Sequence, residues 1–157
     1  MKYSIEVVAQ AATPTLSVRR HSPAEDLPAV LGQAYSEIIR YADRQGLRVL
    51  GPAFAIYYNM DMDNLDMEIG FVSGVRVSGN GIVQSSEIPA GQYVSAVYAG
   101  PYAEMPALYQ EMSAFMIERG LVPSGTACEL YFNAPVDVPD TELRTQVLLG
   151  TEKGRLC

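Results

Sequence analysis

An internal repeat constrains the fold of this chain more than any other feature of its sequence. Gly46-Leu47 and Gly120-Leu121, 74 residues apart, each close a helical pattern and open an apolar strand. At that offset, without gaps, Tyr35 aligns with Tyr109, Glu37 with Glu111, Tyr41 with Phe115, Gly51 with Gly125, Ile56 with Leu130, Tyr57 with Tyr131 and Asn59 with Asn133. Aromatic, glycine and asparagine matches in one register point to a duplication. The competing explanation is a chance likeness between two αβ stretches of similar composition.

Within the first repeat, Leu27, Val30, Leu31, Ala34, Ile38 and Tyr41 recur at helical spacing, with Pro23 and Pro28 at the entrance and Ser22 as the cap. In the second, Met105, Leu108, Tyr109, Met112, Phe115 and Met116 do the same, and Gly120 ends the helix. Strands are expected at Ile5 to Ala9, Thr15 to Arg20, Ala53 to Asn59, Asp66 to Val72, Ile82 to Ile88, Tyr93 to Ala99, Ala127 to Asn133 and Thr141 to Leu149. The pattern is a β–β–α–β–β unit used twice in a single domain of residues 1–157. The pseudo-repeats span about 1–74 and 75–157, joined through the Gly- and Ser-rich stretch Ser73 to Gly81. Each one-sided helix must bury its stripe on a sheet, so the expected fold is α+β in two layers, a mostly antiparallel sheet carrying two helices on one face.

Composition narrows what such a domain does. With 48% apolar residues the chain can bury a core. Its 11 basic and 18 acidic residues sum to −7 without a basic run, which disfavours direct nucleic-acid binding. No apolar stretch approaches the roughly 20 residues that cross a bilayer, and MKYSIEVVAQ lacks a signal pattern, so no membrane association and a soluble, cytoplasmic protein are expected. Cys128 and Cys157 are expected as free thiols. With one histidine, His21, and neither CxxC nor HExxH, the chain lacks the parts of common zinc sites and of His-activated nucleophiles. Neither metal nor cofactor is expected, and His21 is assigned to an exposed loop with no role.

The remaining chemistry gathers around carboxylates and tyrosines. Period two along ACELYFN puts Cys128, Leu130 and Phe132 on one face and Ala127, Glu129, Tyr131 and Asn133 on the other. A carboxylate in an apolar strand is costly to bury as a charge unless something answers it, so Glu129 either takes a cation, acts as a base, or pairs structurally. The structural partner would be Arg144, which a turn near Val136 to Asp140 places opposite Tyr131 and diagonal to Glu129. The first repeat carries Ala55 at the position of Glu129. On its hairpin partner Glu68, expected across from Tyr57, is a second acidic candidate, against the alternative of a solvated acidic turn in DMDNLDME. Tyrosine is abundant, ten residues against four Phe and no Trp. Tyr35, Tyr41, Tyr57, Tyr58, Tyr98, Tyr102, Tyr109 and Tyr131 could box an amphipathic cation, the alternative being core filling. Gly100-Pro101 makes a turn that sets Tyr102 at the entrance of the second helix.

Four motifs in order carry a family resemblance: Asp66-x-Glu68-x-Gly70, Ile88-Pro89-Ala90-Gly91, Gly100-Pro101-Tyr102, and Glu129-x-Tyr131 followed by Asn-Ala-Pro-x-Asp. Over nearly its whole length the chain resembles the GyrI-like small-molecule-binding domain, found also as the effector-binding domain of AraC-type and MerR-type multidrug regulators. The resemblance implies duplicated β-α-β-β (SHS2-like) repeats, two helices over a central ligand groove, a glutamate at the position of Glu129, and aromatic walls. Family members often end each half with Pro-Val, where this chain has GFVSGV and VLLGTE. No helix-turn-helix precedes residue 1, so a stand-alone form is expected, in which transcriptional regulation would need a protein partner.

Three functions follow. The first is a monomeric or dimeric module that binds amphipathic, cationic or aromatic small molecules through Glu129, Tyr131, Tyr57, Tyr102, Glu68, Tyr35 and Tyr109, to sense or sequester them. The second is a hydrolase, since some similar proteins are described as opening cyclopropane-bearing DNA-alkylating compounds. Glu129 would activate water and Tyr131 or Tyr102 would donate a proton. The third is a gyrase-inhibitor-like interaction protein that works through its acidic surface and is insensitive to Glu129→Gln.

Overall fold

The computed structural model of the chain describes residues 3–47, 51–73, 79, 81–134 and 137–152. In chain order the elements are β1 (Ile5–Gln10), β2 (Thr13–Ser22), α1 (Leu27–Arg44), β3 (Ala53–Tyr57), β4 (Leu65–Val72), β5 (Gln84–Ile88), β6 (Gly91–Ala99), α2 (Met105–Glu118), β7 (Pro123–Tyr131) and β8 (Arg144–Thr151). The α+β expectation holds, with both helices and all eight strands at their anticipated places. Most of the connector Ser73 to Gly81 lies outside the described residues, as do the apolar positions after Leu47, the turn residue Val136, and Cys157.

The chain forms two compact units. Residues 11–90 make one, in which β3, β4, β2 and β5 pair antiparallel in that order. Residues 1–10 and 91–157 make the other, with antiparallel order β1, β6, β8, β7. The first strand of each sequence repeat therefore pairs within the unit that holds the rest of the other repeat.

In each unit one helix covers one face. Arg20 of β2 forms an ion pair with Glu37 of α1, and Phe71 of β4 packs its ring on Tyr35, so α1 lies on the face bearing Leu16, Val18, Met67 and Ile69. Ala34, Ile38 and Tyr41 are buried there as expected, whereas Leu27, Val30 and Leu31 are only half-buried. In the other unit Met105, Leu108, Met112, Phe115 and Met116 of α2 cluster with Tyr3, Val94, Ala96, Tyr98 and Val147.

The repeat extends to details of termination. Gly46 and Gly120 take φ of 67° and 68° after α1 and α2, a conformation that other residues adopt only at a cost. At the other end both helices are entered through a proline and a short 3-10 turn, Pro23 with Ala24–Asp26 and Pro101 with Tyr102–Glu104. Ser22 does not cap α1; its hydroxyl donates to the Pro23 carbonyl at 2.9 Å, because the 3-10 turn moves the helix start onward. The entrances are 78 residues apart and the exits 74, so α1, with 18 residues, is one turn longer than α2, with 14. β3 and β7 both stop two residues short of the expected asparagine, which instead closes the hairpin. Asn59 accepts from the Asp66 amide (3.0 Å) and donates to the Asn64 carbonyl (3.2 Å). Asn133 accepts from the Arg144 amide (2.9 Å) and donates to the Glu142 carbonyl (3.0 Å). No helix among the described residues is long and apolar enough to cross a membrane.

Candidate functional site

The pairing of β7 with β8 sets Glu129 opposite Val147 and Tyr131 opposite Thr145. Val147 belongs to the core beneath α2, so Glu129 and Tyr131 face the helix. Tyr109, from the middle of α2, donates its hydroxyl to Glu129 Oε2, and Tyr131 donates to Oε1 at 2.6 Å. Both carboxylate oxygens of a half-buried glutamate are thus met by neutral O–H donors. Among the described residues no cationic side chain pairs with it. The expected structural partner, Arg144, stands elsewhere. The Phe132 amide donates to the Arg144 carbonyl, which puts Arg144 in register with Phe132 on the opposite face, its guanidinium 6.0 Å from the Phe132 ring centroid. A register one residue away from the expected one is enough to reverse the face.

Tyr102 completes the group. Its ring meets that of Tyr131 edge-on at 5.9 Å, and the residue is 39% exposed. Partial burial, then the charges of Glu129 and Asp140, push its hydroxyl pKa up, so it stays a neutral phenol. The turn that presents it is pinned from below by Tyr98, whose hydroxyl donates to the Pro101 carbonyl (3.1 Å) and to Glu104 (3.2 Å). Gly100, at φ 150°, leaves the space for this bond. A Cβ there would lie 2.6 Å from the Tyr98 hydroxyl oxygen.

The other unit carries the counterpart scaffold without the acid. Ala55 stands where Glu129 does, and Tyr35, the counterpart of Tyr109, donates to the backbone carbonyl of Phe54 at 3.0 Å. Tyr57, the counterpart of Tyr131, is buried on the α1 face. Glu68 is neither across from Tyr57 nor in a solvated turn. It pairs in register with Ile56 and Arg19, faces away from α1, and is 7% exposed. Its oxygens accept from Ser17 and Tyr58, both at 2.6 Å. Arg19 stacks 4.2 Å above the Tyr58 ring and forks onto Asp66 at 2.7 and 2.9 Å. The guanidinium holds the Asp66 carboxyl below its ordinary pKa, with the raised Arg19 pKa as the reciprocal effect. His21 lies on β2 rather than in a loop, exposed but opposite Asp66, its Nε2 3.5 Å from Oδ1. Gly70 permits the close approach of β2, since a Cβ there would fall 2.0 Å from the Leu16 carbonyl oxygen. Asp66, Glu68 and Gly70 thus share one face and bind β4 to β2. Sequence reasoning missed Ser17, although the alternation Thr15, Ser17, Arg19 marks a polar face of β2 that called for a partner; Tyr58, counted among the tyrosines that could box a ligand, instead holds Glu68.

Of the seven candidate ligand residues, the structure brings together Glu129, Tyr131, Tyr109 and Tyr102, places Tyr35 and Tyr57 on the α1 face of the other unit, and sets Glu68 on that unit's opposite face. Among the described residues no three His, Cys, Asp or Glu side chains group as a metal site.

Comparison with known proteins extends these observations. A family model described as the GyrI-like small molecule binding domain matches residues 3–150. No curated protein matches the chain in sequence. Among solved structures, the C-terminal domain of EcmrR is similar at 20% identity and a TM-score of 0.80, covering 98% of this chain and 99% of that one. A hydrolase from Listeria innocua is similar at 14% identity and 0.62, covering 94% and 91%. SAV2435 bound to tetraphenylphosphonium is similar at 12% identity and 0.67, covering 98% and 95%. At these identities the likeness is one of fold.

Proposed function

We propose, for a chain that belongs to the GyrI-like small molecule binding domain family, that it binds amphipathic cationic or aromatic compounds at Glu129, with Tyr102, Tyr109 and Tyr131 as contact residues, and serves to sense or sequester them. One observation carries this reading. Glu129 is a half-buried carboxylate oriented by two tyrosine hydroxyls and answered by no cation among the described residues. A hydrogen-bonded carboxylate in a partly dry setting attracts an organic cation more strongly than one in water, and each ring face adds about 0.5–2 kcal/mol of cation–π attraction. SAV2435, similar in fold, was solved with a lipophilic cation of this type. In this reading Glu68, held by Ser17 and Tyr58, is an internal brace, and Tyr35 and Tyr57 fill the α1 face.

The test is thermal stabilisation of wild type and Glu129→Gln by lipophilic cations and neutral aromatics, with mass spectrometry of each mixture. A ligand at 100 times its Kd stabilises the folded form by about 2.7 kcal/mol, which a melting curve resolves. Cations should raise the Tm of wild type and not of Glu129→Gln, and should be recovered unchanged. A hydrated product that vanishes in the variant would replace this reading with hydrolysis, Glu129 accepting the proton of water and Tyr131 donating one. The absence of a shift for every compound would move the search to a protein partner and the acidic surface.

A further inference from the structure

Thr145 is fully buried, and its hydroxyl has no hydrogen-bond partner among the described residues. Strand pairing fixes where it stands. On β8 it is opposite Tyr131 of β7 on one side and Tyr98 of β6 on the other, so it shares the α2 face with Val147 and Glu129. Neither neighbouring hydroxyl is directed at it. Tyr131 donates to Glu129, and Tyr98 donates to the Pro101 carbonyl and Glu104. A buried hydroxyl without a partner bears the desolvation of that group with no return, whereas a valine of the same shape would not. Thr15 of β2, in the other unit, is orphaned in the same way; Thr145 differs in standing one strand from a half-buried carboxylate and in register with its tyrosine, beside the candidate ligand site.

We propose that Thr145 is a specificity-determining residue of the Glu129 site: its hydroxyl pairs with a polar substituent of the bound compound. The site then prefers a cationic aromatic that carries a hydroxyl or carbonyl over an all-hydrocarbon cation. This rests on the reading of Glu129 as a binding site for organic cations. Thr145 is closed to solvent without ligand, and Tyr131, half-buried and directly opposite, is the side chain whose movement opens it. Charge pairing of a cation with Glu129 weakens the hydrogen bond that holds Tyr131 in place.

The experiment compares tetraphenylphosphonium with (4-hydroxyphenyl)triphenylphosphonium by titration calorimetry on wild type, Thr145→Val and Thr145→Ser. The hydroxylated probe should bind wild type about 3- to 10-fold more tightly, the range of one net hydrogen bond. That preference should disappear in Thr145→Val, with the affinity for tetraphenylphosphonium kept, and return in Thr145→Ser. Equal affinities for the two probes in wild type, or a preference that survives in Thr145→Val, would overturn the proposal and leave Thr145 a packing residue. A wild type that binds neither probe would remove the cation-site reading, and this inference with it; binding of both that is lost in Glu129→Gln keeps that reading standing on its own.

Discussion

Glu129 and Ala55 occupy the same place in two copies of one scaffold, and the tyrosine above each has adapted. Tyr109 turns to a carboxylate, while Tyr35, with none available, bonds a backbone carbonyl. Much of this was legible residue by residue: period two put Glu129 and Tyr131 on one face, and the repeat singled out Tyr109. Arg144 was not legible, because its face depends on how many residues the loop after Asn133 consumes, and a slip of one reverses it. Asp66 supports a prediction at this scale. The Arg19 guanidinium depresses its folded-state pKa below the ordinary 3.8. The stabilisation is therefore fully present above that value and lost as pH falls through the lower, folded pKa. Asp66→Asn should lose stability at pH 7 relative to wild type and show a shallower decline in acid, the two curves converging below pH 3.8 in urea unfolding followed by circular dichroism.

At the scale of elements, the strands and helices were readable because each has one apolar face with the right period. Their ends were not, since ends are decided by hydrogen bonds that the pattern of apolar residues does not report. Asn59 and Asn133 show this. Both look like the last residue of a strand, and both fold their amide back across the hairpin to hold the first amide of the next strand or the position beside it. Asn133→Ala removes an acceptor and a donor at an exposed turn. It should cost about 1–2 kcal/mol at roughly 1 kcal/mol per bond, with Asn59→Ala costing a similar amount in the other unit. Equilibrium denaturation checks both; a loss under 0.5 kcal/mol in either would mean that water replaces the amide there. Because the hairpin of Asn133 precedes Arg144 and ends β7 just after Tyr131, the same variant should also weaken cation binding at Glu129, which its counterpart at Asn59 should not.

For the molecule as a whole, the duplication was visible but the exchange of first strands was not. β1 and β2 are separated by Ala11 and Ala12 alone, and two-residue links ordinarily signal a hairpin. A tight hairpin needs φ > 0 at one or both central residues, and no non-glycine residue described here adopts it. Pro89-Ala90 stands in the same relation to β5 and β6. The chain therefore starts in one unit, builds the other from residues 11–90, and returns. Ile5 pairs with Ala96 after 90 intervening residues, a pairing expected to form late because loop closure precedes any gain from contact. Removing residues 1–10 strips β1 from β6 and takes Tyr3 from beside Tyr98, whose ring it meets at 5.9 Å. Hydrogen exchange should then accelerate in β6 and β8 while β2 and β4 keep wild-type protection. Equal acceleration in all four would show that the two units unfold as one.

The bonds from Tyr109 and Tyr131 to Glu129 also have an optical consequence. The chain has ten tyrosines and no tryptophan, so its ultraviolet emission is that of phenol alone. An excited phenol is a much stronger acid than in its ground state, and one already bonded to a carboxylate can pass its proton across and lose its emission. Like Tyr58 on Glu68, Tyr109 and Tyr131 meet this condition on one carboxylate and should both be quenched. Any compound that draws Glu129 away from them relights them, so occupancy can be followed as a rise in tyrosine emission without attaching a dye.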